Sequence, residues 1–316
     1  MKPIAKKKSC FAKLILLVSI VILALSLIPN IFANYWFTDI LANFKFQYII
    51  IAILLLVLVL VFIQKKIWSL TLLIPSIIFN AYYILPYYLP SPQVSIVKPE
   101  QLKVTSINLL SSNSEINLVE KYIKSENPEV LILLEFTPQW QLNLQSTLAE
   151  YPYKKLVPRT DNFGIALISK KPITAEVQDL ISTGKPSIIA EVQVNQKKID
   201  IIATHPFPPL GKLAFEARNK QMNYLIKNRS AFSDRLLILG DFNNSSFSNH
   251  FQQLIKEDLK DSRLGFGLLP TWPANFSILQ TTLDHCLVSK NITVINRSIG
   301  NNIGSDHLPI SIEIEF

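Results

Sequence analysis

Ahead of residue 90 three stretches, at 14–32, 46–63 and 67–85, are apolar on every face; behind them short β-branched runs alternate with amphipathic segments. Each of the three approaches the roughly 20 residues that a helix needs to cross a bilayer core. The run at 49–63 has no polar face to turn towards water, so a buried helix of a soluble protein does not account for it. Basic residues precede the first stretch, which would also suit a cleaved signal peptide, yet the other two would still hold the chain in the membrane. Residues 1–85 therefore read as an anchor of three transmembrane helices. The segment Pro86-Tyr87-Tyr88-Leu89-Pro90-Ser91-Pro92 reads as an interfacial anchor that opens a Pro-rich, semi-rigid linker over 86–97. A second domain fills 98–316. In it the runs at 103–109, 130–134, 165–169, 187–194, 199–204, 236–240, 284–289, 293–295 and 309–314 predict strands. Helices are predicted at 116–125, 138–148, 212–228 and 248–256, which makes an α/β domain of sheets covered by helices.

A net charge of +8 invites a nucleic-acid reading until the charge is located. Residues 1–97 hold eight lysines and one acid, Asp39, which leaves only +1 for the second domain. The basic excess thus belongs to membrane topology and is no footprint for DNA. By the positive-inside rule the cluster Lys6-Lys7-Lys8 and the turn at Lys65-Lys66 lie in the cytoplasm. Three spans then put the N-terminus in the cytoplasm and the second domain outside it, in a multi-pass protein of the cell membrane whose evident partner is the lipid bilayer. The stretches 46–63 and 67–85 contain no ionisable residue, so no ion path of a transporter is visible. Cys10 sits at the membrane entry and Cys286 stands alone in the second domain, so no disulfide pair forms within it. No protein partner is evident.

Several polar residues stand where an apolar strand stops: Asn108, Glu135, His205 and Asp241. In α/β folds the ends of several strands converge on one crevice, where such side chains can meet. The segments Ser106-Ile107-Asn108, Leu134-Glu135, Gly164-Ile165-Ala166-Leu167-Ile168-Ser169-Lys170, Thr204-His205-Pro206, Gly240-Asp241-Phe242-Asn243, Leu283-Asp284-His285 and Gly304-Ser305-Asp306-His307-Leu308-Pro309 follow in that order. Together they resemble the successive motifs of the endonuclease/exonuclease/phosphatase superfamily, and they span nearly all of the second domain. The resemblance implies a four-layer sandwich of two packed mixed β-sheets flanked by helices, here preceded by the three transmembrane helices.

It also implies roles. Asn108, Glu135 and Asp306 would form the metal-binding group, whose oxygen donors suit Mg²⁺ or Mn²⁺. His307 would take the proton from water, with Asp284 fixing its tautomer. Asp241 and Asn243, alternating along an extended segment, would position the attacking water and a phosphate oxygen. His205 would donate to a phosphate oxygen or assist the leaving group. Arg218 is the candidate phosphate contact, with a solvated helix face as the alternative. His285, beside Asp284 on a strand, should point to the opposite face and be structural, as should His250. Leu110 stands where some members carry a carboxylate, which favours one metal. The stiff apolar loop Pro206-Phe207-Pro208-Pro209 does not resemble a basic arm for gripping phosphate.

These residues point to a membrane-anchored, metal-dependent phosphoesterase with an extracytoplasmic catalytic domain. Its expected substrate is a lipid head group or small phosphodiester. A nuclease, which needs an extended basic groove, and a catalytically inactive binding module that retains the fold are the alternatives.

Overall fold

In the computed structural model described here, residues 2–91, 98–256 and 258–316 are described, with side chains from Cys10 onward. Residues 92–97 of the expected linker, and the side chains of the Lys6-Lys7-Lys8 cluster, lie outside what is described. The chain divides into two compact units, Met1–Pro86 with Phe247–Asn249, and Tyr87–Ser246 with His250–Phe316.

The first unit consists of α1 (Lys2–Ile31), the single turn α2 (Trp36–Asp39), a 3-10 segment (Ile40–Phe44), α3 (Lys45–Phe62) and α4 (Ile67–Ile84). Cys10–Ile31, Trp36–Phe62 and Ile67–Tyr87 are long and apolar enough to cross a membrane. Ile22, Ala52, Val59 and Leu73 pack together inside, while large apolar side chains such as Leu54, Val61 and Trp68 point outward. An apolar surface on every outer face matches a lipid environment. Hydrogen bonds between helices link the interior: Ser26 Oγ lies 2.7 Å from Ser76 Oγ, and Asn80 Nδ2 donates to Ser26 Oγ at 2.7 Å. Such bonds hold helices together where no hydrophobic force acts between them. The middle helix begins one residue before the expected stretch, at Lys45, whose ammonium turns inward. It donates to Ser26 O at 3.1 Å and lies 4.5 Å from the ring centres of both Phe79 and Tyr83. Lys45 lies just ahead of the expected stretch 46–63 but inside the apolar span Trp36–Phe62, where two aromatic faces accept its cation.

The second unit is built on β1 (Gln101–Asn108), β2 (Val130–Leu134), β3 (Tyr153–Val157), β4 (Ile165–Ser169), β5 (Ile173–Gln178), β6 (Ser187–Val194), β7 (Lys197–Ala203), β8 (Leu236–Asp241), β9 (Leu259–Asp261), β10 (Asp284–Ser289), β11 (Thr293–Ile299) and β12 (Ile310–Glu315). They form two mixed six-stranded sheets, in the orders β11-β12-β1-β2-β4-β3 and β5-β6-β7-β8-β10-β9. In β2 the side chains of Val130, Ile132 and Leu134 join the core between the sheets, and those of Leu131 and Leu133 face outward. A strand buried on both faces reads as a continuous apolar run, which is why it was legible. Outside the first sheet lie α5 (Ile116–Glu126), α6 (Pro138–Asn143) and α7 (Gln145–Ala149), with Val119, Trp140 and Leu148 packed on it. Outside the second lie α8 (Lys212–Lys227) and α9 (Asn249–Leu254), with Met222, Leu225 and Phe251 on it. This is the four-layer sandwich that the motifs implied.

Three strands escaped the sequence pattern, β3, β5 and β9, and each is the edge of a sheet. Edge strands meet water along one side and carry charges such as Lys154, Lys155 and Glu176 there, so their apolar signal fades. The helix expected at 138–148 breaks at Leu144 into α6 and α7. The linker also starts differently. Tyr87 is buried in the second unit, where its hydroxyl donates to Asp261 Oδ2 at 3.2 Å and the Arg263 guanidinium lies 4.6 Å from its ring centre. Gly267 N donates to Tyr87 O at 2.7 Å. A buried Asp–Arg pair thus clamps Tyr87, in the segment that was expected to be an interfacial anchor opening a semi-rigid linker.

Candidate active site

β1 ends at Asn108 in the first sheet, β8 ends at Asp241 in the second, and the register of β10 places Asp284 opposite Asp241. Asn108 Nδ2 reaches Asp241 Oδ2 at 3.4 Å, so one end of each sheet converges on the other. Gly240 makes the approach on the second sheet feasible: its φ is 147°, and a Cβ there would lie 1.8 Å from Thr204 O. Only glycine lets β8 pass so close to the end of β7, which sets Asp241 beside His205.

His307 is the centre of the cluster. Its Nδ1 lies 2.8 Å from Asp284 Oδ2 and its Nε2 3.6 Å from Asp241 Oδ2, and the ring is buried. Its backbone N donates to Ser305 Oγ at 3.1 Å, and Ser305 Oγ donates to Asn108 O at 2.8 Å, which ties the loop before β12 to the end of β1. His205 approaches the same carboxylate, with Nε2 3.5 Å from Asp241 Oδ2, while its buried Nδ1 has no hydrogen-bond partner. Burial pushes His307 down, but the charges of Asp284 and Asp241, the bond to Asp284 and the charge of Asp306 raise it to about 10. Asp284 is pushed up by burial further than His307 pulls it down. Both directions say that the His307–Asp284 pair holds on to a proton. Burial pushes Asp241 up too, yet the charge of His307 and the bond and charge of His205 outweigh it and hold the carboxyl at about 2.

The three expected metal ligands border this cluster. Glu135 follows β2, the parallel neighbour of β1, and its Oε2 accepts from Ser111 N at 2.8 Å. Asp306 Oδ2 accepts from Trp272 Nε1 at 3.2 Å, whereas its Oδ1 is buried without a partner. Leu110, Glu135 and Asn243 all have left-handed backbones, with φ of 57°, 54° and 48°. Non-glycine residues held in that region are a form of strain that concentrates at functional sites.

Two expectations need correction. Asn243 does not alternate with Asp241 along an extended segment, because the chain turns there: Asn243 N donates to Asp241 Oδ1 at 2.8 Å, and its side-chain Nδ2 donates to Pro206 O at 3.1 Å. Asn243 therefore braces the loop after His205. Arg218 is on neither a solvated face nor an open crevice. It is buried, with Nη1 donating to Asn243 O at 3.0 Å and its Nε and Nη2 to Asn219 Oδ1 at 3.1 and 2.8 Å. A planar fork of donors suits this internal bracing. His285 behaves as expected: it faces away from the site between Phe242 and Phe251, with Nε2 2.8 Å from Asn244 O, and burial lowers it to about 3. His250 packs against Phe215 at 5.5 Å. The sequence did not reveal Trp272, which holds Asp306, or Thr271, whose Oγ1 accepts from Asp284 N at 3.2 Å. Both lie on a loop without periodicity, and no spacing marks them.

The endonuclease/exonuclease/phosphatase family matches residues 105–307. The chain belongs to this family. Its members are generally phosphoester hydrolases, and all seven motif segments lie in or next to the matched region. Among solved structures, the fold resembles TDP2 of D. rerio complexed with a single-strand DNA product, with a TM-score of 0.58 and 16% identity over 68% of this chain and 99% of that one. It also resembles family proteins from Bacteroides thetaiotaomicron (TM-score 0.57, 18% identity, 70% and 99% covered) and Leptotrichia buccalis (0.54, 15%, 68% and 100%). A comparison with curated protein sequences found no match. At these identities the likeness establishes the fold, and the chemistry has to be argued from this chain's own residues.

Proposed function

We propose that the chain is a membrane-anchored phosphodiesterase whose domain, from Tyr87 on, works outside the cytoplasm and depends on a divalent cation. The observation that carries this reading is the buried His307–Asp284 bond at 2.8 Å, with the free Nε2 turned towards Asp241. With Nδ1 engaged by Asp284, Nε2 is the nitrogen that accepts a proton from water held against Asp241. Neutral imidazole in this role typically contributes roughly 10²–10⁴-fold. The buried His205, with an unpartnered Nδ1, is placed to donate to a phosphate oxygen or to the leaving group.

The donor set fits a hard cation, because Asn108, Glu135 and Asp306 offer oxygens and Asp306 Oδ1 is buried with no other partner. Bound there, Mg²⁺ or Mn²⁺ would polarise a phosphoryl oxygen and offset its charge. Among the described residues Asp241, Asp284 and His307 also bring ligand atoms within 4.8 Å of one another. We assign them to proton transfer, since the hydrogen bond between Asp284 and His307 already engages the atoms that a metal would need. The proton held on His307 by the surrounding carboxylates must leave before the ring serves as base.

The full chain in detergent with Mg²⁺ should hydrolyse bis-p-nitrophenyl phosphate, lose this activity in EDTA and regain it with Mg²⁺ or Mn²⁺. Glu135→Gln should raise the Mg²⁺ concentration required and lower the rate. Undiminished hydrolysis in excess EDTA would end the metal assignment. The likeness to a TDP2 bound to a DNA product favours a second reading, an extracytoplasmic nuclease. Preference for single-stranded DNA over small diesters in the same assay would establish it. The inactive binding module fits less well, since the whole proton-transfer group is in place.

A further inference from the structure

The most exposed large apolar side chains of the second unit, among the described residues, are Leu213, Leu210 and Ile278, at 81%, 77% and 70%. Leu210 and Ile278 lie on two loops rooted in the site, and Leu213 lies in the first turn of α8, into which the first of these loops runs. The first loop leaves His205 through Pro206-Phe207-Pro208-Pro209 and enters α8. Asn243 Nδ2 holds it at Pro206 O, and Phe207 packs on Phe163, which in turn packs on His205. Leu210 N and Gly211 N donate back to Pro208 O and Pro209 O at 2.7 and 3.2 Å, and Gly211 has a φ of 98°. Prolines and these tight turns hold Leu210 and Leu213 out in water on a stiff support. The second loop, 273–280, is closed by a bridge between Trp272 and Thr281 and carries Phe276, Ile278 and Leu279. It is tied to the expected metal ligand, since Ala274 N donates to Asp306 O at 2.7 Å.

Single exposed leucines are ordinary, but two stiff apolar loops rooted on opposite members of one site are not. The rim is not built for a polyanion, because residues 98–316 carry a net charge of +1 and the lysine between the two leucines, Lys212, lies 3.8 Å from Glu216. An apolar surface that this chain meets is a bilayer, since it carries three helices long and apolar enough to cross one. We propose that the two loops form an apolar rim that docks the site on a lipid surface, and that the substrate is an amphiphilic phosphoester presented from a bilayer. Leu210, Leu213, Phe276 and Leu279 enter the interface, and Lys212 keeps its ammonium at the level of the phosphates while its stem covers apolar surface.

This proposal rests on the phosphodiesterase reading above, and the two fail separately. The full chain is reconstituted into phosphatidylcholine/phosphatidylglycerol vesicles, and release of phosphorylated head group is measured alongside hydrolysis of bis-p-nitrophenyl phosphate. The double variants Leu210→Ser/Leu213→Ser and Phe276→Ser/Leu279→Ser should each lower head-group release at least ten-fold while keeping the soluble diester rate within two-fold. In a Cys10→Ser background, a fluorophore at Leu213→Cys should be quenched by lipid-borne quencher, and one at Ile295→Cys, near the far end of β11, should not. Unquenched label at Leu213→Cys, or head-group release unchanged in both variants, overturns the rim. A wild type that cleaves the soluble diester but no vesicle lipid overturns the substrate class. Failure on both substrates with Mg²⁺ instead overturns the phosphodiesterase reading.

Discussion

Asp284→Asn is the sharpest perturbation, since it changes one atom in a buried bond and leaves the volume alone. In the wild type Asp284 Oδ2 accepts from His307 Nδ1 at 2.8 Å, which leaves Nε2 as the basic nitrogen. An asparagine with its amide NH₂ turned to the ring makes Nδ1 the acceptor and moves the proton to Nε2. The structure strengthens that wrong tautomer, because the carboxylate of Asp241, 3.6 Å from Nε2, favours a proton there electrostatically. The base is then blocked while the fold and the metal ligands stay in place. Positioned proton transfer is worth roughly 10²–10⁴-fold, so kcat should fall at least about 10²-fold, or about 2.7 kcal/mol, with KM little changed. His307→Ala should fall as far, and the double variant should be little worse than His307→Ala, since the pair acts as one unit. The assay is steady-state hydrolysis of bis-p-nitrophenyl phosphate at saturating Mg²⁺, with thermal unfolding as the control for folding. Near-wild-type kcat in folded, metal-loaded His307→Ala, or full additivity of the two losses, would refute the reasoning.

Two further outcomes are expected, one from the structure and one from the placement of lysines along the sequence. Arg218→Met keeps the buried volume but withdraws the donor to Asn243 O, and should lower stability by about 1–3 kcal/mol in thermal unfolding and kcat by roughly ten-fold, with KM nearly constant; a phosphate contact would instead raise KM. A reporter active only in the cytoplasm, fused after Phe316, should be silent, because Lys65-Lys66 and the N-terminal lysines are expected to stay inside, and strong reporter activity would overturn that orientation.

By itself the sequence determined the elements that its local pattern reports. The apolar stretches predicted the helices of the first unit, and β2, β4, β6 and β10 appear at their expected bounds, since interior strands and lipid-facing helices are apolar enough to be seen in isolation. The ordered motifs identified Asn108, His205, Asp241, Asp284 and His307, which the structure brings into one network. Tertiary structure alone decided the rest. Edge strands β3, β5 and β9 exist because a neighbour supplies their hydrogen bonds, and their own side chains are too polar to announce it. Arg218 reads as a phosphate contact or a solvated helix residue until Asn243 turns back over it, and Tyr87 reads as part of an interfacial anchor until Asp261 and Arg263 enclose it. Periodicity records which faces of a segment are buried, but which side chains from two sheets finally meet depends on strand register and on packing across the core, and no local pattern encodes either.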